Sequence, residues 1–151
     1  MFKMYEIVRM GITLALLALL GVMAFKDWKT KEVPVIYLIV SGAVAALEMV
    51  YLLAAGQMLQ FRLGISGLLL GVGCTFISYR TKEKIGYADS VAIGIVGTHL
   101  GIWRMIGVLL LSFFCVFVRV VLKEGLHKDS LKKSMPFLPF LFLGYLGAGV
   151  I

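Results

Sequence analysis

Three carboxylates stand in sequence that is otherwise apolar. Asp27 directly follows one apolar run, Asp89 lies a few residues into "KIGYADSVAIGIVG", and Glu48 lies deep inside a further run. A carboxylate with apolar flanks has to face a cavity or a partner, because lipid and packed hydrocarbon do not solvate charge. Two such groups brought together can hydrolyse an amide. One takes a proton from water while the other, protonated, donates to the carbonyl oxygen. Close carboxylates resist ionising together, so a pair of this kind holds one proton between its members. Glu48 is open to pairing with Arg104 or Arg119, or to a polar pocket, and is assigned no chemistry. The other five acids, Glu6, Glu32, Glu83, Glu124 and Asp129, sit in or beside charged loops and read as solvated surface.

Elements able to hold these acids follow from composition. The chain has 151 residues, 61% of them hydrophobic and 15% charged, with a mean hydropathy of +1.00. Soluble domains do not have this composition. Apolar runs fall at about 7–25, 34–55, 62–79, 86–101, 102–122 and 136–151, each close to the roughly 20 residues that cross a bilayer as a helix. The expected fold is an all-α integral membrane protein, a single domain over 1–151 formed by a bundle of about six transmembrane helices. The runs are continuous rather than alternating, which excludes a barrel. The break between the fourth and fifth rests on His99, Gly101 and Arg104 and predicts a tight outer turn.

Loops one, three and five carry Lys26, Lys29, Lys31, Arg80, Lys82, Lys84, Lys123, Lys128, Lys132 and Lys133, ten of the fifteen cations. Cations are retained in cytoplasmic loops, so both termini are expected outside. Asp27 and Asp89, which played no part in that assignment, then fall together at the cytoplasmic end. Membrane topology and anionic lipid account for the net charge of +7, and no nucleic-acid partner is expected. An N-terminal signal peptide ending in "VMA" is opposed by Arg9 and by a core of about 19 residues, longer than such segments use. Cys74 and Cys115 occupy separate spans and form no CxxC pair, so no metal or redox site is expected. Gly64, Gly67, Gly71 and Gly73, and Gly144 with Ala148, have the small-residue spacing of close helix packing.

Three segments carry a family resemblance. "DWKTKEVP", from Asp27 to Pro34, resembles the D-x-x-x-x-x-x-P segment of the type IV prepilin peptidases. "GYAD", from Gly86 to Asp89, resembles their G-x-G-D motif, and "MPFLPFLFLGYLG" is similar to their final proline-bearing span. The resemblance implies a membrane aspartyl protease of the prokaryotic plasma (inner) membrane. It would remove the leader from prepilin-like substrates at the cytoplasmic face, with Asp27 and Asp89 as the catalytic pair. The implied partners are a substrate with a basic leader and an apolar helix, together with membrane lipid. No oligomeric state is implied. No cofactor is implied, and the paired CxxC motifs of the family's longer, methylating members are not seen, so no N-methylation is expected. Two positions depart from the family pattern: Ala88 replaces the second motif glycine, and Val35 replaces the asparagine that commonly follows Pro34. Two rival readings remain: a small transporter using a membrane carboxylate such as Glu48, and a non-catalytic assembly subunit of a pilus or secretion system, suggested by Ala88.

Overall fold

The computed structural model describes residues 2–81, 86–124 and 136–149, and these are helical throughout apart from short connections. The helices are α1 (Phe2–Thr30), α2 (Val35–Ala54), α3 (Met58–Arg80), α4 (Tyr87–Leu100), α5 (Ile102–Glu124) and α6 (Leu138–Gly144). A wider π-helical turn, Tyr145–Gly149, continues α6. The six expected segments are all present, and α1, α2, α3 and α5 are long and apolar enough to cross a membrane. Phe25, Ile39, Leu69, Phe76, Leu110 and Leu122 project from them into the surroundings, as lipid-facing side chains would.

The fourth and sixth segments are shorter than expected. At 14 residues α4 rises about 21 Å, against roughly 30 Å of bilayer hydrocarbon. Other helices compensate by enclosing it: Ser90 and every residue from Ala92 to Leu100 are buried. Its far end is cut by Gly101, whose φ of 77° turns the chain directly into α5. That is the tight turn expected from the His99–Arg104 interruption.

Glycine lets α3 press most closely on α4. A Cβ added to Gly67 would meet the Gly97 carbonyl, and one added to Gly71 would meet the Gly94 backbone. Gly64 faces the same seam, but Gly73 opens to empty space and takes no part in it. Leu20, Met23, Val96, Met105, Val108 and Leu141 close a core to which α1, α4, α5 and α6 all contribute.

The C-terminal ends of α1, α3 and α5 lie at one end of the bundle, which carries Lys26, Lys29, Lys31, Arg80 and Lys123. Lys82, Lys84, Lys128, Lys132 and Lys133 fall outside the described residues. The first connection is compact. α1 runs on past Asp27 and closes at Lys31, which takes a left-handed φ of 56° and donates its N–H to the Asp27 carbonyl at 3.0 Å. Pro34, with φ −61°, then caps α2, and its carbonyl accepts from Tyr37 N–H at 3.1 Å. The ring sets that φ in advance and has no N–H to leave unpaired.

Candidate active site

Asp27 is 7% exposed although it lies in the last turns of α1. Its Oδ2 accepts a hydrogen bond from the backbone N–H of Leu138 at 3.2 Å. Leu138 opens α6, and the first N–H groups of a helix have no acceptor within it. An orphan donor of one helix is thus satisfied by an acid of another. The proline-bearing segment that begins α6 thereby reaches the carboxylate directly.

Asp89 stands in the first turn of α4, where the helix dipole favours a negative group. It is half-buried and lies within electrostatic reach of Asp27. The two sequence-predicted acids, from helices far apart in the chain, thus lie toward the same end of the bundle within electrostatic reach of each other. No cation is ion-paired to either of them among the described residues.

The two small residues of "GYAD" have different roles. Gly86 caps α4 at φ −60° and ψ 137°, a conformation open to any residue. Its lack of a side chain matters because an added Cβ would sit 3.1 Å from Asp89 Oδ2. Ala88 lies within the first helical turn and is half-buried, and its φ is negative. Alanine favours that conformation, so the departure from glycine brings no backbone conflict. Val35 begins α2 as its first helical residue and is exposed.

Beside Asp27, Trp28 carries the guanidinium of Arg119 on its ring at 4.5 Å, with the Phe140 ring 5.5 Å away on α6. Arg119 Nη1 is buried with no hydrogen-bond partner among the described residues. Stacking on aromatic faces offsets part of that desolvation. The arrangement ties the ends of α1, α5 and α6 together around Asp27.

Glu48 pairs with neither Arg104 nor Arg119. Its carboxylate lies 2.8 Å from His99 Nδ1 through both oxygens, and the two side chains are 4% and 3% exposed. The other ring nitrogen, Nε2, is 2.9 Å from Thr13 Oγ1. His99 had registered in the sequence only as an interruption. A histidine inside a buried apolar run is the signal that would have marked it as the partner of an intramembrane acid.

Among the described residues no three His, Cys, Asp or Glu side chains gather in a way that could hold a metal. Cys74 and Cys115 are separate and half-buried. The sequence model of the type IV leader peptidase family matches residues 14–121, a span that includes both aspartates and all of α2, α3 and α4. No curated protein matches the chain. No solved structure matches it either.

Proposed function

The chain belongs to the type IV leader peptidase family, and on that premise we propose that Asp27 and Asp89 are the catalytic pair of an aspartyl endopeptidase. The observation that carries the proposal is their convergence. Two acids from α1 and α4 lie within electrostatic reach at one end of the bundle with no cation ion-paired to either among the described residues, and the resemblance of "DWKTKEVP" and "GYAD" to the family motifs falls on the same two residues.

The chemistry needs one water and one shared proton. The ionised member of the pair takes a proton from the water, whose oxygen attacks the scissile carbonyl carbon. The protonated member donates to the carbonyl oxygen, giving a neutral tetrahedral diol. Collapse then returns a proton to the amide nitrogen, the C–N bond breaks, and the pair is left with one proton as before. Oδ2 of Asp27 is held by Leu138 N–H, so Oδ1 is the oxygen left to face water. Gly86 keeps the space beside Asp89 Oδ2 open.

The substrate class is a prepilin-like protein whose basic leader precedes an apolar helix. Such a chain can lie with its helix in the bilayer and its leader at the basic end, the cytoplasmic side of a prokaryotic plasma (inner) membrane by the cation rule. Glu48 is already paired within the bundle, which leaves a transporter reading without its carboxylate. The helical setting of Ala88 likewise removes the structural reason for an inactive assembly subunit.

The test is co-expression in membranes with a leader-bearing substrate, reading the new N-terminus by mass. The wild type is expected to cut. Asp27→Asn and Asp89→Asn are each expected to insert normally and lose cleavage by at least about 10³-fold. Full cleavage by either variant would falsify the assignment.

A further inference from the structure

The two helices that carry the aspartates also meet away from them, near the middle of α1 and in the last turn of α4. Thr13 of α1 and His99 of α4 meet there, with Glu48 of α2 behind the histidine. α6 lies against α1 while α3 and α2 cover much of α4, and apolar side chains of α1 and α4 share two core clusters. To that packing the Thr13–His99 hydrogen bond adds a directional contact between the two helices.

Hydrogen counting defines this contact. Thr13 has one hydroxyl hydrogen, and it goes to the Arg9 carbonyl at 2.8 Å. The Thr13 oxygen therefore acts as acceptor toward His99, and Nε2 carries the hydrogen that it accepts. That leaves one proton between Nδ1 and the Glu48 carboxylate. On either side the pair is neutral as a whole, as a pair enclosed at 3–4% exposure must be to avoid an uncompensated charge. The Tyr145 hydroxyl, at the start of the π turn, lies within electrostatic reach of both Glu48 and Arg9.

The helix geometry links this contact to the aspartates. On α1, Thr13 and Asp27 are separated by fourteen positions, about 21 Å along the axis and roughly 40° apart around it, so they share a face. On α4, Asp89 and His99 are separated by ten positions, about 15 Å. His99 occupies the last turn of α4 and Asp89 the first. A rigid helix held axially at one point cannot slide at another.

We infer that the Glu48–His99–Thr13 chain is a positioning device that helps set the axial register of α4 against α1 and thereby the placement of Asp89 relative to Asp27. His99 and Glu48 are positioning residues for the reaction, and the inference rests on the peptidase reading given above only for its effect on rate.

The test uses the full chain, with spin labels at the exposed Phe25 and Tyr87 (Phe25→Cys and Tyr87→Cys) in a Cys74→Ser/Cys115→Ser background. These positions report the α1–α4 register at the aspartate end without touching either acid. With the device intact, one narrow distance distribution is expected. In the doubly apolar Glu48→Leu/His99→Leu variant, which leaves no buried charge, the distribution is expected to broaden or to shift by at least one helical rise, about 1.5 Å. Leader cleavage in the same variant is expected to fall about 10²-fold in kcat with KM little changed, the effect of a displacement near 1 Å at the reacting groups. Glu48→Gln is expected to restore both readouts. Its amide oxygen accepts from Nδ1–H, and Thr13 can turn its hydroxyl to Nε2.

An unchanged distance distribution in the doubly apolar variant would overturn the inference, whatever the cleavage rate. A changed distribution in a protein that never cuts a leader would uphold the register device and count against the peptidase reading alone.

Discussion

Both ends of the α1–α4 relation bury acid, but they resolve it differently. At one end Glu48 faces a histidine, every hydrogen has an assigned acceptor, and the group is almost fully enclosed. At the other, Asp27 and Asp89 lie within electrostatic reach of each other, and among the described residues Asp27 accepts from one backbone N–H, that of Leu138. The first arrangement is what a fold does with a polar group that it keeps for its own geometry. The second leaves proton capacity unspent in the place where a peptide and a water could use it. Functional sites are where local rules of pairing are broken, and stability is given up for reactivity.

The contrast can be broken most forcefully at the paired end. His99→Leu leaves Glu48 enclosed without its base, and is expected to cost about 3–5 kcal/mol, read as a fall in thermal unfolding midpoint in detergent. Asp27→Asn is expected to leave that midpoint unchanged or raise it slightly, because it removes a repulsion instead of a partner. If the two substitutions destabilised equally, the two ends would not differ in kind. Next in size is the α3–α4 seam: Gly97→Val drives a side chain into the Gly67 backbone and is expected to cost about 1–3 kcal/mol on the same scale.

Smaller effects sharpen the picture at the aspartate end. Gly86→Ala crowds Asp89 Oδ2 and is expected to slow cleavage about tenfold, with less than about 1 kcal/mol lost in stability. Ala88→Gly is expected to change cleavage by less than about threefold and to cost about 0.5–1 kcal/mol of helix stability. A large gain in cleavage from Ala88→Gly would instead make the alanine an inactivating departure.

Much of the aspartate end was legible in the sequence. The cations placed Asp27 and Asp89 at one end, and the motif spacing singled out the same pair together with Gly86 and Pro34. The hydropathy of the second and fifth segments carried their helices to within two residues of the observed bounds, whereas α1 runs five residues past its expected run at each end and α3 starts four residues earlier. What the sequence withheld was lateral order. Nothing in a hydropathy profile says which helix lies beside which, so Glu48 stayed open between an arginine partner and a polar pocket while its partner His99 registered only as a span-breaker. The Leu138 donor was hidden for another reason: a backbone N–H has no sequence signature, and its availability depends on where α6 begins. The seam glycines were half-visible. Gly67 and Gly71 stood out on α3, but Gly73, grouped with them, stands only two positions past Gly71 and opens outward, while Gly94 and Gly97 of α4 passed as ordinary apolar sequence.

The central claim is that Asp27 and Asp89 act as one unit, and a double-substitution cycle on leader cleavage tests it most directly. Single-turnover rates would be measured for the wild type, Asp27→Asn, Asp89→Asn and the double variant with one substrate in the same membranes. Each single variant is expected to lose at least about 10³-fold, and the double variant to be no slower than the slower single within a few-fold, as for groups that work together. Two modest losses that multiply in the double variant, or a single variant that cuts at the wild-type rate, would contradict it.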